Sequence, residues 1–477
     1  MDIPLIVDLD GTIIKSDLLF EQINMVLIRS PFKIFQVVIL LFLYGKVKLK
    51  LYLSNITSIE VNTLPYNFEL INWLKKEKIK GRYVVLATAS HSKVAKSVAN
   101  HLNFFDDVLA TEGCINLKGV QKKRLLISMY GEKGFDYVGN ESSDLAVWNS
   151  ARYAHVVSSS PSLIAKVKLI GNLAHVFDDG RPHVLRALIN AIRPLQWLKN
   201  LLIFAPLFAA QLYGDIPSII NSSLAFIAFG LTASSAYILN DLVDINIDRL
   251  HPRKKFRPFA AGSVFLLYGW FLWPTLIAVA FAISIWTLPI VFVVVQAIYL
   301  ALTFAYSFFL KKKVFLDVIT LAGLYTMRII AGIAAISVSL SFWLLSFSMF
   351  IFLSLALVKR FSEIKVMQSS VSSLNLPGRG YLIDDLELVS SMGISAGYIS
   401  VLVLAFYIQD VTITHLYNRP EFIWLTCPLS LFWISRIWLI AHRGEMYDDP
   451  VFFAAKDNVS WFILSGFVAL FLLARFL

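Results

Sequence analysis

Two kinds of hydrophobic pattern divide the chain. Up to about residue 160, short β-rich runs alternate with mixed polar stretches: "IPLIVDLD", "GRYVVLATAS", "FDYVGNESSD" and "YAHVVSS". Short apolar runs bounded by turn-forming residues fit buried parallel strands, and their rhythm predicts a doubly wound α/β domain over residues 1–160. "PFKIFQVVILLFLYG", Pro31 to Gly45, is discordant: its apolar core is short for a bilayer span, so a helical cap resting on the membrane is expected. Pro161 to Val184, with "DDGRPH", reads as a short exposed linker. From 185 to 477 the pattern predicts an all-α membrane domain of nine spans, centred near Ala205, Phe229, Ala278, Val295, Ala322, Phe350, Val403, Leu431 and Phe467.

Composition agrees with that division. In 477 residues, 57% are hydrophobic and the mean hydropathy is +0.68, which places much of the chain in lipid. The net charge of +11 does not mark a nucleic-acid binder, because the cations are spread among short segments between apolar runs and no groove-reading motif is present. Cys114 and Cys427 lie far apart without a CxxC pattern, which supports neither a disulfide framework nor a zinc site. The opening "MDIPLIVDLDGT" lacks a basic region followed by a long apolar core and is expected to begin a folded domain.

Charge also orients the spans. The connections after the second, fourth, sixth and eighth carry Arg249, Arg253, Lys254, Lys255, Arg257, Lys311, Lys312, Lys313, Lys359, Arg360, Lys365, Arg379, Arg443 and Lys456. The opposite connections, such as "WTLP" and "ISVSLS", are nearly free of Lys and Arg, with Arg419 the exception. The positive-inside tendency then predicts a multi-pass protein of the bacterial inner membrane, with the basic connections and the N-terminal domain cytoplasmic.

The densest chemistry lies in "NDLVDINIDRLHPRKKFRP", Asn240 to Pro258, beside the second span. Asp241, Asp244 and Asp248 are spaced i, i+3, i+7, along one helical face, where a divalent cation can be held. A solvated acidic surface is the plain alternative. Against it, His251 and Pro252 end the helix, and Lys254 and Arg257 return cations to the same mouth, the equipment for a diphosphate substrate.

"RPLQWLKN" at Arg193 to Asn200, with the NDxxDxxxDR and HPxKxxRP elements, resembles the UbiA superfamily of intramembrane transferases from about residue 185 to the end. The resemblance implies nine transmembrane helices, with Asn240, Asp241, Asp244 and Asp248 binding Mg²⁺ and diphosphate and Arg249 beside them. Prenyl-diphosphate users usually show a second aspartate pair, where "YSFFLKKKVFLDVITLAGLYTMRIIAG" offers only Asp317, then Arg328. The chain looks closer to the branch that makes polyprenylphosphoryl-5-phosphoribose from phosphoribosyl pyrophosphate and polyprenyl phosphate. Two anionic substrates need cations, and Lys199, Lys311, Arg328, Lys359 and Arg360 are the candidates. An arginine inside an apolar span is costly unless paired or facing a polar cavity, and a structural pair of Arg328 with Asp317 is the alternative to a binding role. "KRFSE", "RGY" (Arg379 to Tyr381) and "HRGEMYDDP" add charge later, where Asp448 and Asp449 either cap the site, hold a cation or lie in a solvated loop.

"VDLDGTIIKSD" ends a β-run in Asp8, with Asp10, Gly11 and Thr12 in a tight turn. This looks like the haloacid dehalogenase superfamily of phosphotransferases, and further pieces follow in order: Thr88, Lys122 (with Lys123 a rival), and "GNESSD" holding Asn140 and Asp144. The resemblance implies Asp8 as nucleophile, Asp10 as general acid and base, and Mg²⁺ held at Asp8, Asp10, Asn140 and Asp144. Asn140 stands where the family usually has an aspartate, so an inert regulatory domain is the alternative to a phosphatase. Together the halves imply a lipid-linked ribose 5-phosphate that then loses its 5-phosphate. Aromatic prenyl transfer and a transporter or membrane anchor are the rival readings.

Overall fold

The computed structural model describes residues 3–112, 116–339, 341–369, 380–410, 415, 417–446 and 449–477; Cys114, Arg379 and Asp448 lie outside the described residues. The chain forms two compact units, Met1–Ile192 with Tyr237–Pro274, and Arg193–Ala236 with Thr275–Leu477.

In the first unit, β1 (Leu5–Val7), β2 (Val84–His91), β3 (Asp107–Thr111), β4 (Asp136–Gly139), β5 (Ala154–Val157) and β6 (Leu173–Phe177) form a parallel sheet in the order β3-β2-β1-β4-β5-β6. Central β1 is buried on both faces, pairing Leu5 with Val84 on one side and with Asp136 on the other. That is why it reads as an unbroken apolar run. The strand order reverses beside β1, and the loops leaving β1 and β4 diverge there to leave a crevice, the usual ligand position in such sheets. Asp8 follows β1 directly and Asn140 follows β4.

The expected linker is partly ordered into this sheet. Pro161 starts a helix, Pro161–Ile170, and β6 pairs with β5 in the register Val157 to Phe177. Leu163, Val167 and Phe177 are buried, so the segment completes the core at this edge. The discordant apolar stretch belongs to a helical pair, α1 (Leu18–Arg29) and α2 (Ile34–Ile56), packed around Val26, Val37, Leu49 and Leu53. Gly45, at φ 73°, kinks α2. Phe35, Phe42 and Leu43 on α2, and Phe32 in the 3₁₀ turn before it, are exposed.

Among the described residues, eight helices are long and apolar enough to cross a membrane: Ile216–Val243, Leu266–Thr287, Ile290–Phe308, Leu316–Ile336, Phe342–Gln368, Ile383–Gln409, Pro420–His442 and Asn458–Phe476. They match eight of the nine expected spans. The other, near Ala205, is divided into helix Val184–Ile192, a 3₁₀ stretch Pro194–Phe204 and helix Ala205–Ala209. Arg193 sits in the left-handed region at φ 55° just before Pro194, where proline's ring disfavours the α conformation.

In the second unit the 3₁₀ stretch lies against Leu316–Ile336, where a methyl group at Gly332 would sit 2.1 Å from the Ile203 carbonyl oxygen. Gly332→Ala must push these backbones apart, at a cost of about 1–3 kcal/mol. A lower melting midpoint than wild type in detergent is expected. Gly323→Ala, with open space around it, should leave the midpoint unchanged or raise it.

Candidate active sites

The acidic element belongs to the first unit. The helix Ile216–Val243 stops at Asp244, a short helix Ile245–Leu250 follows, and His251 ends it in extended conformation. The carboxylates therefore do not share one continuous helix. Asp241 and Asp248, both buried, are folded toward each other, with Arg257 Nη1 3.1 Å from Asp241 Oδ1 and 2.5 Å from Asp248 Oδ2. Burial raises the Asp248 carboxyl, against the pull of Arg257, and Asp241 adds to the rise. Asn240 and Asp244 are half-buried on the same element, and Lys254 is near enough to favour the charged form of Asp248. Arg249 is committed elsewhere: its guanidinium donates to both carboxylate oxygens of Glu21, at 2.6 and 3.2 Å.

The second unit holds several charged clusters, three of which involve the expected site residues. Asp449, ahead of helix Pro450–Lys456, accepts from Lys199 at 3.0 Å, Lys359 at 3.1 Å and the Tyr325 hydroxyl at 3.4 Å. Burial alone would raise its carboxyl, but Lys359 and Lys199 outweigh this and hold it well below the ordinary range. Arg328, buried in Leu316–Ile336, donates from Nε to Asn200 Oδ1 (2.9 Å) and from Nη2 to the Tyr299 hydroxyl (3.1 Å). The rings of Phe229, Tyr299 and Tyr325 lie 5.2–5.9 Å from its guanidinium carbon.

Arg328 cannot pair with Asp317, because eleven residues along one helix separate their backbones by roughly 16 Å. Asp317 instead meets Arg360 Nε at 2.7 Å and the Tyr381 hydroxyl at 2.7 Å, all fully buried or nearly so. Arg360 also pairs with Glu363. Lys311 is half-buried in the 3₁₀ turn Leu310–Lys312.

In the sheet crevice, Lys122 Nζ lies 2.9 Å from Asp8 Oδ1 and 2.9 Å from the Tyr137 hydroxyl. Lys122 rather than Lys123 is the residue at this site. Asp10 accepts from the Leu18 amide (2.8 Å), Ser90 Oγ (2.7 Å) and Thr88 Oγ1 (3.3 Å). Asn140 Oδ1 accepts from Thr12 at 3.0 Å. Asp144 accepts from Tyr137 and from the amides of Asn140 and Glu141, fixing the loop after β4. Burial pushes Asp8 up to about 7 against Lys122, with Asp144 and Asp10 adding to the rise; burial and Asp17 push Asp10 up to about 6. Ser90, Tyr137 and Asp449 complete these clusters; Ser90 and Asp449 meet partners from distant parts of the chain, and only the paired "DD" before Pro450 gives any advance signal.

Among the described residues, no three His, Cys, Asp or Glu side chains are gathered closely enough to hold a metal by themselves. The residues nonetheless fit a hard divalent cation in both places. Asp241 and Asp248 converge on one cationic nitrogen, and the carboxyls of Asp8, Asp10 and Asp144 are close enough to raise the first of them, with Lys122 at Asp8 and Lys50 near Asp10.

Eight long apolar helices among the described residues mark a multi-pass membrane protein. The profile of the UbiA prenyltransferase family matches residues 201–456, and the chain belongs to this family of membrane transferases. "Uncharacterized protein y4nM" of Sinorhizobium fredii is 35% identical over 474 residues, spanning 99% of this chain and 91% of its own, so both parts occur together there. A decaprenyl-phosphate phosphoribosyltransferase of Mycolicibacterium smegmatis is 30% identical over 298 residues, covering 60% of this chain and 93% of its own. A UbiA homolog from Archaeoglobus fulgidus, solved with GPP and Mg²⁺, aligns at TM-score 0.46 and 16% identity over 60% of this chain and 99% of its own.

The raised Asp10 value sets a stability test. The folded state binds this proton more tightly than the unfolded chain, so the ionised carboxyl costs stability above about 6, and the cost fades as pH falls toward its ordinary 3.8. In metal-free buffer, Asp10→Asn should melt above wild type at pH 8, with the difference shrinking by pH 5.

Proposed function

We propose that the chain transfers 5-phosphoribosyl from phosphoribosyl pyrophosphate to a polyprenyl phosphate, and that the N-terminal domain then removes the 5-phosphate. The observation that carries the donor assignment is Asp317. At the position where prenyl-diphosphate users place a second aspartate pair, this chain has one carboxylate, buried and consumed by Arg360 and Tyr381. The likeness to a decaprenyl-phosphate phosphoribosyltransferase supports the same reading.

In this reading Asp241, Asp244 and Asp248 with Asn240 hold Mg²⁺, which when bound supplies charge neutralisation for the departing diphosphate. Arg257 and Lys254 hold phosphate oxygens. Lys199, Lys359 and Arg328 serve the anionic groups of donor and acceptor, with Lys311 a further cation for the same purpose. Each Asp449-bound lysine then exchanges one carboxylate for a phosphate. The lipid phosphate oxygen attacks the anomeric carbon, a carbon–oxygen bond forms to it, and the bond to pyrophosphate breaks. The attacking phosphate is already anionic, so positioning and electrostatics carry the step without a strong base. The Lys- and Arg-rich connections support a cytoplasmic side for this chemistry by the positive-inside tendency.

The sheet crevice resembles the haloacid dehalogenase arrangement. Asp8 attacks the 5-phosphate phosphorus, the ribose oxygen leaves with the proton of Asp10, and water activated by Asp10 then hydrolyses the aspartyl-phosphate. An acid near pH 6 is well matched to giving and retaking that proton. Lys122 steadies both Asp8 and the phosphate, and Thr88 and Ser90 orient Asp10. Mg²⁺ at Asp8, Asn140 and Asp144 would screen the incoming charge.

The purified chain, given Mg²⁺, radiolabelled phosphoribosyl pyrophosphate and polyprenyl phosphate, should move label into the lipid phase, and Asp241→Ala should reduce this at least 100-fold. Mass spectrometry of the lipid should show ribose without its 5-phosphate for wild type and the phosphorylated form for Asp8→Asn. Label entering only from a prenyl diphosphate, onto an aromatic acid, would replace this reading with prenyl transfer.

A further inference from the structure

We infer that the N-terminal domain is a working part of the transferase: helix α1 clamps the acidic element, with Glu21 and Asn24 as positioning residues that brace it and hold Arg249 away from its carboxylates. This rests on the transferase reading for its role in turnover.

Glu21 and Asn24 are three residues apart on α1 and share one face. Asn24, almost fully buried, donates from Nδ2 to the Leu242 carbonyl at 3.1 Å and accepts from Trp270 Nε1 at 2.9 Å. Leu242 lies in the last turn of its helix, where carbonyls lack intrahelical partners. Glu21 takes the Arg249 fork through both oxygens, and Arg249 Nε donates to the Ala260 carbonyl at 3.2 Å, tying in the return segment that carries Arg257. Thr63 adds a weaker contact to Asn246 at 3.4 Å. The contacts at Leu242 and Arg249 thus bracket Asp244 and Asp248 and begin one residue after Asp241.

Two physical consequences follow. Asp241 and Asp248 repel each other, and an element broken at Asp244 cannot hold them together by helix geometry, so Arg257 between them and the contacts from α1 must. Arg249 is also the immediate neighbour of Asp248. Its side chain and that of Glu21 are only 5% and 6% exposed, and removing one partner of a bidentate pair withdrawn from water leaves the other as an uncompensated buried charge. Without Glu21, a guanidinium in this place would seek the nearest anions, the carboxylates on which Arg257 already converges, and would compete with any divalent cation there. The clamp is therefore both a brace and a means of keeping a surplus cation out of the site.

The test uses the full chain in detergent and reads Mn²⁺ binding by electron paramagnetic resonance, taking the part abolished by Asp241→Ala as this site. Glu21→Ala should weaken that binding at least tenfold and the milder Glu21→Gln at least threefold. Glu21→Ala/Arg249→Met should recover to within about threefold of wild type, because the stray cation is gone; a purely structural role for Glu21 would make the double variant no better than the single. In the phosphoribosyl-transfer assay the single variants should raise the Mg²⁺ concentration for half-maximal rate more than they lower the maximal rate. Wild-type binding in both single variants, or a double variant that binds no better than Glu21→Ala, overturns the inference. Absence of transfer by wild type itself would overturn the substrate assignment and leave the Mn²⁺ comparison to decide the clamp.

Discussion

A charge withdrawn from water must find an opposite charge, a hydrogen-bond partner or an aromatic face, and this constraint organises the chain. Asp317 and Arg360 are both completely buried and form an ion pair, with the Tyr381 hydroxyl donating to the same carboxylate. Asp449 draws in two lysines and a tyrosine. Arg328 is met by an amide oxygen, a phenol and three rings. Asp241 and Asp248 share Arg257, and Arg249 takes Glu21. Most of these clusters join elements distant in sequence, as Lys199 and Asp449 are 250 residues apart. Helices whose apolar surfaces have little preference for one another over lipid acquire a specific register from such contacts.

The same clusters divide into two kinds. Some are enclosed, such as Asp317 with Arg360, where a substrate would have to break a fully buried ion pair. Others are poised. Lys199 and Lys359 share a single carboxylate, two cations to one anion, and Arg257 bridges two carboxylates, so each group retains an imbalance that a ligand of the opposite sign would relieve. The aromatic cage around Arg328 differs again, because rings compensate charge without spending an anion.

Much of the fold was legible because it follows from periodicity. The buried strands and eight of the spans are set by local apolar runs, and Asp8, Lys122 and the Asp241–Asp248 element by compact motifs. What escaped depends on partners. β6 was read as linker because "LAHVF" is short and only its pairing with β5 gives it a place. The segment near Ala205 has a span's composition, and a proline following a left-handed arginine divides it. Arg249 looked like part of a diphosphate site because the motif puts it beside Asp248, while Glu21, 228 residues earlier, decides where it points. Asp317 and Arg328 invited pairing in sequence, and helix geometry forbids it.

The exposed apolar side chains of α2 and of the turn before it bear on how this chain can be dissected. Phe32 and Phe42 expose more than four-fifths of their surface, and Leu43 and Phe35 about two-thirds. A fragment cut before the first span would carry these rings into water and strand the Glu21 carboxylate without its guanidinium. Such a fragment is a poor soluble surrogate for the intact protein, prone to self-association through its phenylalanines, and crystallisation or screening campaigns on it would sample an artefact of truncation.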